Sequence, residues 1–453
     1  MPLRNLTVIL LTFVLSLACY QKAQKNRYAS VIGDAMEMVD LHYIEEVDRR
    51  DLFESAMRGM VQSLDQYSAY IGPEAFEDIE VVLDQEFGGV GVEIEKREAS
   101  DPLTVLSPIV GTPAYRAGIG AGDQILEING TSTIGLEMKD AVHLMRGKPG
   151  TEVLLSILRP GGEELVEITV VREIIMVDSV LGDTRRPDDT WDFHLDANRR
   201  IGYFRVTTFG KHTGEELARA LNSDQQVAPP FEAMILDLRG NAGGLLDAAV
   251  DVCRLFINNG VIVSTSDREG KILSRYAANG AAVVPQKIPL AILVNNYSAS
   301  ASEIVAACLQ DHERAVVVGA RTWGKGTVQN IFELEGGRSA LKLTTAGYQR
   351  PSGENIHRRK NDTEDDRWGV SPNPGFEVIL PDEEAQAVFQ QRRRQDVLAN
   401  GNANGGGTST DTVDSTTGDP NDTGEEVEDR QLNRALEYLE KELRQLDAQS
   451  RTA

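Results

Sequence analysis

Three short stretches in the second half of the chain combine residue types that could do chemistry. They are Asp237-Leu-Arg-Gly-Asn-Ala-Gly-Gly244, Asn296-Tyr-Ser-Ala-Ser300-Ala-Ser-Glu303-Ile304 and Thr322-Trp-Gly-Lys325-Gly-Thr-Val-Gln329. Ser300 falls where an apolar run gives way to a helix-forming run. A hydroxyl at such a junction is exposed, and the N–H groups after it sit at the positive end of a helix. It can act as a nucleophile, with the Ala301 N–H stabilising the oxyanion. The plainer meaning of a serine before a helix is an N-cap. On chemistry alone, Ser298 and Ser302 are equal candidates. A nucleophilic serine also needs a base. No histidine has an obvious paired position: His312 falls in a charged turn and His357 in a polar loop. Lys325 lies between two glycines with little charge nearby in sequence. Its plainer reading is a solvated loop tip. A free lysine has a pKa of about 10.4, so only about one in 2,500 is neutral at pH 7, and burial must bring it toward neutrality to make a usable base. Gln329, four residues on, could orient the amine, and Gly243 or Gly244 could bring a second N–H to the oxyanion.

The elements that must position these residues alternate between strand and helix. Phe231–Leu238, Pro289–Val294, Ala315–Val318 and Ala340–Ala346 read as strands, and Leu245–Phe256 and Ser300–Gln310 as helices. Strand–loop–helix repeats predict an α/β architecture with sites at strand ends. Upstream, Asp84–Arg172 opens with Phe87-Gly-Gly-Val-Gly-Val92 and continues through strands at Leu103–Leu106, Gln124–Ile128, Val153–Leu158 and Leu165–Val171, with a helix at Met138–Met145. The stretches GVGVEI, TPAYRAGIGAGD, ILEING and LMRGKPGT resemble a PDZ domain of the circularly arranged bacterial type. PDZ domains bind free C-terminal carboxylates and add the peptide as an extra strand. The resemblance implies that Gly89, Val90, Gly91 and Val92 take the carboxylate; the plainer reading of these glycines is a tight turn. Tyr28–Leu83 has apolar residues at helical spacing and reads as short packed helices.

SASASEI, followed 25 residues later by GKGTVQ, resembles the C-terminal processing peptidases (carboxyl-terminal or tail-specific proteases, family S41). DLRGNAGG, SLDQYSAY at Ser63–Tyr70 and TTAGYQRPSG at Thr344–Gly353 fit the same family. The likeness covers about Tyr28 to Leu380. It implies an α/β protease core with an inserted β-rich PDZ domain and helical N- and C-terminal elements. It implies Ser300 as nucleophile, Lys325 as general base, Gln329 as the residue that positions the lysine, and Ala301 and Gly244 as oxyanion donors. The chain departs from the family pattern at Trp323, where Phe is usual, and at Ala242 in the glycine turn. It departs again at GYQRPSG and in a longer, charged stretch from Glu354 to Arg367. GNAGG also resembles the nucleophile loop of trypsin-like proteases, but its serine place is Ala242 and no matching His/Asp context exists.

The formal charge of −24 argues against nucleic acid and against broad adhesion to an anionic membrane. Three cysteines cannot build a disulfide framework, and no spacing resembles a metal site; no cofactor is expected. Cys253 and Cys308 read as small core residues, and the basic runs His357–Lys360 and Arg392–Arg394 as solvated faces. Residues 1–24 read as an export segment, with Leu6–Ala18 nearly unbroken apolar. Cleavage, lipidation at Cys19 and an uncleaved anchor stay open, so the expected location is the periplasm or cell envelope. The expected domains are 28–83 helical, 84–172 PDZ, 173–380 peptidase core, 381–429 disordered acidic linker, and 430–448 an amphipathic helix. That helix carries leucines at 432, 436, 439, 443 and 446, and docking on its own core or on a second subunit are both open. The expected partners are proteins with free apolar C-termini; a homo-oligomer through the terminal helices and membrane attachment through the N-terminus stay open. Rival readings are a PDZ scaffold with an inactive core and an export chaperone.

Overall fold

The computed structural model describes residue 13 and residues 27–96, 98–186, 190–195, 200–223, 231–363, 365–396 and 427–452. The chain divides into two units, 1–77 with 329–345, and 78–328 with 346–453. The export segment lies outside the described residues apart from Phe13. No helix among the described residues is long and apolar enough to cross a membrane.

In the first unit, helix α1 (Arg27–His42) buries no residue, and α2 (Arg49–Gln62) is capped by Asp48, whose side chain accepts from the Arg50 and Asp51 N–H groups. Strand β1 (Ala69–Ile71) pairs antiparallel with residues 340–342.

In the second unit the PDZ segment contains β2 (Glu86–Gly89), β3 (Val92–Glu95), β4 (Leu103–Pro108), β5 (Gln124–Ile128), helix α3 (Met138–Met145), β6 (Glu152–Leu158) and β7 (Leu165–Val171). The ladder order is β3-β4-β5-β6-β7, so β3 is an edge strand. Strand β8 (Glu173–Met176) pairs back with β2 and closes the segment at its base. Leu103, Ile125, Ile128, Val153, Leu155 and Ile157 fill the core of this sheet.

Ser300, Lys325 and the glycine turn lie on segments that follow strands of a parallel sheet of β9 (Ile201–Val206), β10 (Ala233–Asp237), β13 (Leu290–Val294) and β14 (Val316–Gly319). Between them come helices α4 (Thr213–Ser223) and α5 (Leu246–Arg254), a hairpin of β11 (Asn259–Ser266) and β12 (Ile272–Asn279), and helix α6 (Ala301–Asp311). Apart from Arg205 in β9 and Asp237 at the end of β10, the strands are apolar because both faces are covered. Phe204, Met234, Leu236 and Ile292 face the side of α4, α5 and α6. Ile201, Tyr203, Ala233, Ile235, Ala291 and Leu293 face the other side. Cys253 and Cys308 are fully buried in the first of these layers. Strand β15 (Ser339–Gln349) ends paired with β11, with Tyr348 opposite Thr265.

The expected disordered stretch 381–429 begins instead with a helix, α7 (Asp382–Asp396). Acids at 382, 383 and 384 suit its positive end, and the Gly- and Thr-rich composition starts only at Asn400. Arg392 on this helix is no solvated charge: it pairs with Asp183 at 2.6 Å and lies over the Tyr203 ring. Residues 397–426 lie outside the described residues. Helix α8 (Arg430–Thr452) then docks on the chain's own core, burying Leu432, Ala435, Leu439 and Leu443 against the second face of the sheet.

Candidate active site

Ser300 precedes α6 and stands at φ 57°, ψ −113°. Positive φ is uncommon for a non-glycine residue; such a backbone costs on the order of 1–3 kcal/mol and persists only where its surroundings over-determine it. Glu303 supplies much of that constraint. Fully buried one turn into α6, its carboxylate accepts from Ser300 N–H at 2.8 Å, Thr322 Oγ1 at 2.5 Å, Gly324 N–H at 2.7 Å and Lys325 N–H at 2.8 Å. One side chain therefore fastens the serine turn to the lysine loop. Burial pushes the Glu303 carboxyl above its ordinary value, and the four hydrogen bonds oppose that rise.

The three serines are not equivalent in the fold. Ser298 Oγ donates to Leu238 O at 2.8 Å and Ser302 Oγ to Asn241 O at 2.9 Å, both completely buried. The Ser300 hydroxyl instead meets the phenol of Tyr348. Tyr348 is itself buried, and its N–H donates to Gly326 O at 2.8 Å, so it touches both the serine and the lysine loop. Burial pushes the Tyr348 phenol up to about 12, moderated by the Ser300 contact, which keeps it neutral over the working range.

The glycine turn after β10 is built around Asn241. Its Nδ2 donates to Val206 O at 2.8 Å, its Oδ1 accepts from Gly243 N–H at 2.8 Å, and its carbonyl accepts from Ala299 N–H at 3.0 Å. Gly243 has φ 106°, and a Cβ there would lie 2.7 Å from Ser300 Cβ. Gly244 passes Phe209, whose carbonyl would be 2.2 Å from an added Cβ. The bridge at Phe209 uses Gly243 O and Leu245 N–H, so Gly244 N–H is left out of it. Ala301 opens α6, where a backbone N–H has no acceptor within the helix.

Lys325 is half-buried rather than a loop tip. A Cβ at Gly324 would lie 2.7 Å from Arg358 Cβ, and one at Gly326 would lie 2.3 Å from His357 N. The charged stretch from Glu354 onward thus packs on the lysine loop, with Arg358 N–H donating to Gly324 O at 2.8 Å. Trp368 anchors it, with Arg358 and Arg321 over its ring. His312 bonds Val261 O through Nε2 at 2.8 Å. Gln329 belongs to the first unit. There its Nε2 lies 3.4 Å from Thr344 Oγ1, which donates to Asp65 at 3.2 Å. Asp65 and Ser68 of SLDQYSAY hold this corner; burial raises the Asp65 carboxyl, but bonds from Ser68 and Tyr67 outweigh it and hold it low.

In the PDZ segment, Gly89 is paired with Glu173 in the β2 ladder, Val90 is buried, and Gly91 turns at φ 81° into Val92, the first residue of edge strand β3. A Cβ on Gly91 would lie 2.4 Å from Thr112 Cβ. Sequence reasoning assigned no role to Glu303 or Tyr348. Glu303 carries a signal, the capping-box spacing of Ser and Glu three apart; Tyr348 carries none.

This fold is an α/β core of parallel strands covered by helices, joined to a PDZ-type β segment. A profile of peptidase family S41 matches residues 200–373, one of the PDZ domain matches 104–159, and one described as the activating protease CtpB N-terminal domain matches 16–75. A carboxy-terminal-processing protease of Bartonella bacilliformis is 38% identical over 363 residues, covering 79% of this chain and 78% of that protein. A carboxyl-terminal-processing protease of Synechocystis is 37% identical, covering 67% and 68%. The solved photosystem II D1 C-terminal processing protease is 29% identical, covering 77% of this chain and 86% of that one, with a TM-score of 0.40. The chain belongs to peptidase family S41 and is a serine peptidase with a PDZ domain.

Proposed function

We propose that this peptidase uses a Ser300–Lys325 dyad to cleave exported proteins near their C-termini, with the PDZ domain holding the substrate tail. Lys325, neutral, takes the proton from Ser300, whose oxygen attacks the peptide carbonyl. The Ala301 and Gly244 N–H groups receive the oxyanion. The proton passes to the leaving amine, and water hydrolyses the acyl-enzyme. The family resemblance assigns Gln329 the role of orienting the lysine amine. The observation that carries the reading is the Glu303 carboxylate, which binds the serine and lysine main chains in one buried cluster. Edge strand β3 leaves room for a peptide strand, and the Gly89–Val92 turn at its start would take a free apolar C-terminus.

The test is cleavage of an unstructured protein and its C-terminally amidated form. Ser300→Ala and Lys325→Ala abolish cleavage while circular dichroism stays unchanged. Ser298→Ala and Ser302→Ala keep turnover, and the amidated form is cut more slowly because a charge-assisted contact is lost. Wild-type cleavage by Ser300→Ala sinks the dyad, and equal rates for acid and amide sink tail recognition.

A further inference from the structure

Helix α8 reaches the glycine turn from far along the chain. Asp429, just before α8, caps it by accepting from Leu432 N–H at 3.0 Å, and both its carboxylate oxygens take bonds from Arg239, at 2.9 Å each, across a separation of 190 residues. The same guanidinium bonds Asp237 at 2.7 Å and Gln431 at 3.2 Å. Asp237 also accepts from the Tyr203 hydroxyl at 2.7 Å. Arg239, Asp237 and Asp429 are all buried or nearly so. Arg239 is the third residue of Asp237-Leu-Arg-Gly-Asn-Ala-Gly-Gly244, so its main chain leads directly to the glycines beside Ser300. A cavity of about 310 Å³, lined in part by Arg239, Gly240 and Asn295, borders this turn. On that side the turn is held by the Arg239 ion pairs and by the Gly240 N–H, which donates to Asn295 Oδ1 at 3.0 Å.

We infer that the C-terminal helix is a positioning element for catalysis: Asp429, through Arg239, fixes the turn that carries the oxyanion donor. A buried bidentate Arg–carboxylate pair has defined geometry, and removing one partner leaves a buried charge half satisfied. The turn then relaxes toward the cavity, and a small displacement of an oxyanion donor lowers turnover rather than binding. The inference rests on Ser300 as nucleophile and Gly244 as donor.

The test uses the full chain with Asp429→Asn, which keeps a good helix cap but loses the charge. Asp447→Asn is the control, since Asp447 pairs α8 with Arg200 at 3.0 Å through side chains that are each over a third exposed. Each variant is assayed for kcat and KM on a short peptide ester, for phosphonylation rate by a fluorophosphonate, and for thermal unfolding. Asp429→Asn is expected to lower kcat and phosphonylation about tenfold with KM unchanged, and Asp447→Asn to change neither. Should Asp429→Asn melt early, Asp429→Glu decides: recovered turnover supports the inference, and lost turnover in a folded protein overturns it. Wild-type kcat in Asp429→Asn, or equal losses in both asparagine variants, also overturns it. Ser300→Ala runs alongside. Activity there removes the nucleophile assignment itself, whereas an inactive Ser300→Ala with a normal Asp429→Asn removes only this inference.

Discussion

Glu303 collects four donors from three places in the sequence: the serine turn, Thr322 and the lysine loop. A carboxylate suits this because it only accepts, with two oxygens and about four lone-pair sites. Glutamine has nearly the same shape but turns one of those oxygens into a donor facing N–H groups. Hydrogen bonds to a charged group contribute about 1.5–3 kcal/mol each. Glu303→Gln is therefore expected to keep the fold and lower kcat by about 10- to 100-fold, since tenfold is about 1.4 kcal/mol. Steady-state kinetics with circular dichroism checks this; unchanged kcat would mean that the strained Ser300 backbone is held by other contacts.

At the scale of elements, the candidate site sits on the loops that leave the C-terminal ends of β10 and β13 and on the lysine loop that follows β14. The parallel sheet supplies a rigid base because its strands are buried on both faces. Glycines let the loops approach one another closely. At Gly326 a Cβ would press on the His357 main chain at 2.3 Å. Backbone yields less readily than a flexible side chain, and overpacking of this kind costs about 1–3 kcal/mol. Gly326→Ala should lower the unfolding free energy by that amount and depress kcat, because Lys325 moves with the loop. Gly353→Ala is the comparison: space there is open but φ is 86°, so it costs stability through backbone strain without moving the lysine. Equal kcat in Gly326→Ala and wild type would show that the lysine loop tolerates displacement.

The whole molecule carries a formal charge of −24, and its shifted carboxyls fall into two groups with opposite effects. Burial raises Glu303, Asp123, Asp178 and Asp396. Their folded forms bind protons more tightly than the unfolded chain does. They favour folding at low pH, and this advantage is lost as pH rises from the ordinary carboxyl range, near 4, through the raised values. Asp237 and Asp311 are the reverse. Burial raises them, but Arg239 and Arg350 outweigh it and hold both low, so their contribution is present above the ordinary range and disappears as pH falls through the depressed values. Relief of self-repulsion on acidification adds to the first group. Urea midpoints are therefore expected to be highest at mildly acidic pH, falling both toward pH 8 and below about pH 4. A midpoint that climbs steadily from pH 5 to 8 would contradict this balance.

Local pattern carried much of the fold. Apolar runs placed β10, β13 and β14 within a few residues, and period-2 and period-3.6 signals placed the PDZ strands and α3, because these elements follow from which faces must be buried. The motifs also marked Ser300 and Lys325, since a short stretch holds both the residue and the turn that presents it. Pattern left other matters undecided. The β11–β12 hairpin was not legible, and neither was α7, whose first turn carries the acids a helix start prefers but which has no strong apolar stripe. Leucines at helical spacing announced α8 but could not say what would cover them; burial against Leu195, Ala291 and Leu293 did. The difference between Ser300 and its neighbours, the contact of Tyr348, the reach of Glu303 and the grip of Asp429 on Arg239 are all long-range. Each depends on which carbonyl, phenol or guanidinium the fold brings within about 3 Å, a distance that hydrogen bonding requires and that spacing along the chain does not contain.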